Sequence, residues 1–262
     1  MRSNHERSTT GSREGRNTYD RRTALRLAGG GLAAGLAGCA GRLGSGTENT
    51  LESQLASVRS ETEQYADPTA ALEAGFKLTG PVAPGQGWHF VNPKRVETAA
   101  KEGLDRSSPQ VLTYDREMNL VAVEWAVPTG AVDDQPDLFD DGDASATETW
   151  HTHESFTHVL ATGDGTATPP PELGFDTMAT NDNWAAFRPP NTELSPGDEI
   201  ALKWGVESPD ADEGGETRVV DLAQTHPPLM TLHVWVHSDN PKGVFHPTHP
   251  DVAGGGGHDH DH

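Results

Sequence analysis

The chain has 262 residues, of which 19 are Lys or Arg and 40 are Asp or Glu, giving a formal net charge of -21. A phosphate-binding surface needs a basic face, so this balance excludes nucleic acid as a partner, and the length suits one core or two small ones. Lysine is confined to Lys77, Lys94, Lys101, Lys203 and Lys242. An acid-rich, lysine-poor chain reads as a salt-adapted surface whose self-repulsion is screened by high salt, an ordinary acidic protein being the alternative.

Residues 1–20 are polar and Arg-rich, without an apolar period. Asp20-Arg21-Arg22-Thr23-Ala24-Leu25-Arg26 then precedes a weakly apolar, Gly- and Ala-rich run from Leu27 to Ala37. Paired arginines before such a run resemble a twin-arginine export signal, and the run is too short to cross about 30 Å of hydrocarbon. Leu36-Ala37-Gly38-Cys39 resembles a lipobox, in which the cysteine becomes lipidated and N-terminal. The expected organisation is therefore a signal peptide over 1–38, a lipid anchor and tether over 39–47, a globular domain over 48–252 and a flexible tail over 253–262. It places the protein on the extracytoplasmic face of the cell membrane, with lipidated Cys39 as its membrane partner. Residues 39–262 then hold 12 basic and 37 acidic residues. Cys39 is the only cysteine, so the domain has no thiol for a disulfide, a thiolate metal site, cysteine catalysis or a blue-copper centre.

Past the tether, Ser45-Gly46-Thr47-Glu48 fits a capping box opening a helix, with Leu51, Leu55, Val58, Thr62 and Tyr65 on one stripe. Asp67-Pro68 starts a second helix that Gly75 ends. The period then becomes strand-like. Gln110–Tyr114 and Asn119–Val127 read as a hairpin turning at Asp115–Met118, with Val121, Val123, Trp125 and Val127 on one face and Leu120, Ala122, Glu124 and Ala126 on the other. Asp133–Asp143 holds six aspartates and reads as an exposed acidic loop. Thr168–Pro171 and Arg188–Pro196 read as Pro-rich connectors, and strands are expected at Glu199–Val206, Thr217–Ala223 and Met230–His237. The fold class is mainly β (α+β): a single antiparallel β-sandwich or barrel-like domain behind an N-terminal helical pair.

Histidine carries the chemistry. Of 13, only His5 lies in the leader. His151-Thr152-His153 puts two imidazoles on one strand face, with His158 close behind. His233, Trp235 and His237 alternate along the expected last strand, and His89 follows Gly85-Gln86-Gly87-Trp88 in a Gly-rich loop. His226, His246 and His249 lie beside prolines. A metal site requires three or four such groups to converge. The candidate set is His151 and His153 with His89 or His233, and Glu124 or Glu154 as carboxylate; zinc, copper or iron suits it. On the bland reading His233 and His237 bond within the sheet, His151 and His153 are exposed, and Glu124 is the buried partner of Arg95 or Arg188. His-x-His also opens the cupin metal motif, but Glu154 stands too close to His153 and Pro196-Gly197 lacks the second histidine. The terminal His258-Asp259-His260-Asp261-His262 reads as a solvated tail. No Gly-x-Ser-x-Gly elbow, phosphate loop or dinucleotide fingerprint appears. Three functions are compatible with this: a binder of a transition metal or small ligand, a metal-dependent enzyme on the same cluster, and a cell-surface interaction module without metal.

Several segments recur in a familiar order: Tyr65-Ala66-Asp67 with 70–76, Gly87-Trp88-His89-Phe90-Val91-Asn92-Pro93, 109–114, Leu120-Val121-Ala122-Val123-Glu124-Trp125, Leu232-His233-Val234-Trp235-Val236 and Asn240-Pro241-Lys242-Gly243-Val244-Phe245. Together they resemble a family of uncharacterised secreted or lipid-anchored proteins of bacteria and haloarchaea, over most of residues 62–252. The resemblance implies no activity. It places His89, Asn92, Glu124 and His233 in characteristic segments, while residues 143–225, with His151 and His153, depart from the shorter bacterial pattern.

Overall fold

Twelve strands and four short helices make up the described part of the chain. The computed structural model describes residues 50–132, 134–139, 148–163, 167–168, 173–188, 190, 192–207 and 215–252. The leader, Cys39, the tether, residues 133 and 140–143 of the acidic loop, and the His-Asp tail lie outside the described residues.

Helix α1 (Leu51–Thr62) is capped by Thr50, whose hydroxyl accepts the Ser53 N–H, so the cap falls later than the Ser45–Glu48 box. Val58 and Thr62 are buried, and Leu51 and Leu55 pack against the same core. Asp67 caps α2 (Pro68–Glu73) as expected. Strands β1 (Lys77–Ala83) and β2 (Gly87–Val91) follow as an antiparallel pair. Gly87 has φ +91°, and a Cβ there would lie 2.2 Å from the Tyr114 carbonyl oxygen. Only glycine fits this turn. Helix α3 (Pro93–Glu102) begins at Asn92, whose side chain accepts the Arg95 N–H and donates to the Ala74 carbonyl.

The expected hairpin is present as β3 (Val111–Tyr114) and β4 (Leu120–Pro128). Residues Leu120 to Val127 of β4 are buried on both faces. α3 packs against this strand, and Trp125 stacks edge-on against Phe139. Phe139 corrects the expectation of an exposed loop over 133–143. Asp134 and Asp137 are exposed, but Phe139 is buried between Trp125 and Phe245, because burying one aromatic side chain recovers more than a solvated loop would.

Next come β5 (His151–His153), β6 (Phe156–Leu160), α4 (Phe175–Met178), β7 (Trp184–Phe187), β8 (Glu199–Leu202), β9 (Val206–Glu207), β10 (Glu216–Val219), β11 (Leu222–His226) and β12 (Leu229–Val234). They form a six-stranded sheet in the order β1-β2-β3-β4-β12-β5, a four-stranded sheet β11-β6-β7-β9 and the pair β10-β8. Every pairing is antiparallel except β7 with β9. The fold is mainly β, as expected. β5 runs directly into β6, and β1, at the opposite edge of the large sheet, lies against β6 and β7. The large sheet thus curls like half a barrel with β6 near both of its edges.

Three expected elements change. Glu199–Val206 is two strands separated by a turn at Lys203–Gly205. Thr217–Ala223 is β10 and β11 joined by a corner, where the Asp221 carboxylate accepts the N–H groups of Thr162 and Thr168 at 2.7 and 2.6 Å. Met230–His237 ends as a strand at Val234, because the Trp235 N–H is drawn to the Val244 carbonyl. No described helix is long and apolar enough to cross a membrane.

Candidate metal centre

Strand register brings the chemistry together. Residues that face each other across antiparallel strands share a sheet face, as do residues two apart. His89 on β2 pairs with Thr113 on β3, and Thr113 pairs with Ala122 on β4. Glu124, two residues on, pairs with His233 on β12. Thr231, two residues before His233, pairs with His151 on β5, and Leu229 pairs with His153. Five adjacent strands therefore put His89, Thr113, Glu124, His233, Thr231, His151 and His153 on one face. Ala122 and Ala126 flank Glu124 and leave room for the imidazoles beside it.

Glu124 and His233 are almost wholly buried, at 2% and 0% exposure. Glu124 Oε1 lies 3.0 Å from His89 Nε2 and 3.2 Å from His233 Nδ1, and it accepts the Thr113 hydroxyl at 2.7 Å. On the other side His151 Nε2 lies 3.1 Å from His153 Nε2 and 3.1 Å from Thr231 Oγ1. The His151 ring stacks on His233 with centroids 5.1 Å apart, and the His89 ring meets it edge-on at 6.1 Å. His233 is fully enclosed, yet neither ring nitrogen has a hydrogen-bond partner, the Glu124 contact being out of line. Two groups of potential ligand atoms result, His89–Glu124–His233 and His151–His153–His233, each with its atoms within 4.8 Å of one another. Either could hold a metal ion.

Electrostatics favour the ligand forms. Burial lowers the pKa of His233 to about 3 and of His153 to about 4, and lowers that of His151 as well. These imidazoles are neutral at pH 7 and offer lone pairs. Burial opposes ionisation of Glu124, but the facing histidines and the hydrogen bonds from His89 and Thr113 outweigh it and hold the carboxyl below the ordinary range. The centre thus presents imidazole nitrogens around one carboxylate, groups that could hold a metal ion.

Of the candidates read from sequence, His89, Glu124, His151, His153 and His233 all meet here. Others do not. His89 sits within β2 rather than in the glycine loop, since the turn at Gly85–Gly87 is tight enough to end before it. His237 leaves the sheet with the diverted chain, and its Nε2 meets the Thr62 hydroxyl at 2.8 Å. Among the described residues Glu124 has no arginine partner: Arg95 donates to the Pro109 carbonyl and the Tyr65 hydroxyl, and Arg188 pairs with Glu154. Glu154 is exposed in that ion pair and is not part of either group. Thr113 and Thr231 were not singled out from sequence; only the register across β3, β4, β12 and β5 reveals them. His158 on β6 and His226 on β11 stack at 5.3 Å in the smaller sheet, outside both groups. Two surface clefts, one lined by Glu61, Tyr65 and Arg95 and the other by Arg59, Glu63 and His237, contain none of the five residues.

Comparison with protein-family models, with curated proteins and with solved structures gave no match.

Proposed function

We propose that the protein is a lipid-anchored, extracytoplasmic metal-binding protein that holds a divalent transition metal at the cluster centred on His233. One observation carries the metal reading: a fully buried histidine with both ring nitrogens unpartnered stands between two other histidines on one side and a histidine–glutamate pair on the other. A buried imidazole without a partner costs roughly 1–3 kcal/mol. Metal coordination removes that cost, and the bland alternative of satisfied core histidines does not describe this ring. Thr113 donates to Glu124 Oε1 and so orients the carboxylate, as outer-shell groups of metal sites do. The anchoring rests on the Arg21-Arg22 pair, the apolar run to Ala37 and Cys39.

Elemental analysis tests the metal reading. The full chain, with His258, His260 and His262 replaced by Asn so that the tail takes no metal, is expected to retain stoichiometric zinc, copper or iron after dialysis, and its His233→Ala variant to lose it. A parent protein that stays metal-free after loading would sink the reading. For the anchor, the native protein is expected in the membrane fraction and a Cys39→Ala variant in the soluble one; equal partitioning would contradict it.

A further inference from the structure

The five ligand residues do not close into one set. They fall into two groups whose only common member is His233, each within 4.8 Å. A four-coordinate ion with bonds of about 2.0–2.1 Å needs its ligand atoms roughly 3.4 Å apart, all around one point. Across the sheet, Glu124 and His89 lie from His233 towards β4 and β2, and His151 and His153 lie on β5 at its other flank. Each side also has its own threonine, Thr113 against Glu124 and Thr231 against His151.

His233 is built to serve both sides. Its ring is completely enclosed, and both Nδ1 and Nε2 lack hydrogen bonds. The two nitrogens point apart in the ring plane, one carrying a lone pair and the other a proton, so one ion can engage only one of them. A single ion would leave the second nitrogen buried and unsatisfied, at the same cost as before.

Resting on the metal reading above, we propose that the cluster is a binuclear centre in which the His233 ring bridges two divalent metal ions, one held with His89 and Glu124 and the other with His151 and His153. Bridging balances simply. The first ion binds the unprotonated nitrogen; as the second metal–nitrogen bond forms, the other nitrogen gives its proton to solvent, and the ring becomes an imidazolate. Two positive charges of +2 then face the charges of one carboxylate and one imidazolate, and no electron is transferred. The negative imidazolate between the ions lowers their mutual repulsion in a site with little water. His151 and His153 supply the second ion's other two protein ligands.

Copper(II) serves as the probe because a bridging imidazolate couples the two unpaired spins. Copper is added to the metal-free full chain bearing the three tail substitutions, bound metal is counted after dialysis, and the paramagnetic resonance signal is integrated. The expected result is two coppers per chain with a signal several-fold below that of two isolated coppers. A His151→Ala/His153→Ala variant is expected to bind one copper with its full signal. Two coppers with undiminished signal in the parent would overturn the bridge. One copper per chain would overturn the second site and leave the single-metal reading standing, whereas no copper would remove both. The parent measurement decides the matter even if the variant does not fold.

Discussion

His233 is a polar ring enclosed in the core of the sheet face. It lies opposite Glu124 on β4 with the His151 ring stacked on it, at 0% exposure, and neither nitrogen makes a hydrogen bond. A chain selected only for stability would place leucine there, because an unpaired buried polar group loses more than it gains. In the metal-free protein His233→Leu is therefore expected to leave the unfolding free energy within about 1 kcal/mol of the parent, or to raise it. The same variant is expected to show no stabilisation by metal. The parent gains about 2.7 kcal/mol when free metal reaches 100 times Kd. Urea titrations of both proteins, with and without zinc, check the pair of outcomes. A metal-free variant several kcal/mol weaker than the parent would mean that the ring is structural. Thr113 acts through Glu124, whose Oε1 it meets at 2.7 Å. Thr113→Val is expected to weaken metal binding about 10–100-fold while leaving the fold intact; unchanged affinity by competition with a chelator would contradict that role.

At the scale of elements, the site depends on strand register more than on any single strand. A slip of one residue would turn Glu124 and His233 to the opposite face. The β1–β2 turn helps to fix that register: Gly87 lies with φ +91° against the Tyr114 carbonyl of β3. Gly87→Ala is expected to destabilise the fold by several kcal/mol, since the new Cβ meets backbone that cannot give way, and equilibrium unfolding measures it. A loss below about 0.5 kcal/mol would show that the turn tolerates a Cβ. Much of this architecture was legible in the sequence. The caps at Asp67 and the alternation through β3 and β4 gave the helical pair and the central hairpin, because cap chemistry and period 2 are local signals. The end of β12 was not legible, since a long-range contact, Trp235 N–H to the Val244 carbonyl, cuts it short; the end of β8 did have a local mark, Gly205 with φ +79°, which the strand alternation around it masked. For the site, His-x-His spacing and Glu124 amid apolar neighbours picked out side chains that the strands bring close together. That His237 departs and that Thr113 and Thr231 join follows only from which strands become neighbours.

For the whole molecule, charge and protonation set the conditions under which the centre exists. The chain carries a net charge of -21, and its mutual repulsion weakens as the Debye length shrinks from about 10 Å at 0.1 M salt to about 3 Å at 1 M. The urea midpoint is accordingly expected to rise across that range, and a flat response would argue against a salt-adapted surface. Acid acts through the buried imidazoles. His153 is lowered to about 4 and His158 and His233 to about 3, all by burial. Their folded values lie below the ordinary 6.5, so the unfolded chain binds more protons in between. The stability of the metal-free protein is full above about pH 6.5 and is expected to fall steadily as the pH drops towards 3. Denaturation midpoints at a series of pH values check this, and constant stability down to pH 4 would mean that the imidazoles are not held neutral. Zinc should shift the loss to lower pH, because metal and proton compete for the same nitrogens. The most direct test of the centre is X-ray absorption at the zinc edge of the loaded protein, with the tail histidines replaced. The expected first shell is dominated by nitrogen at about 2.0–2.1 Å with the outer scattering of imidazole rings, lost in His233→Ala. A shell of carboxylate and water oxygens without imidazole scattering would contradict a metal centre at His233.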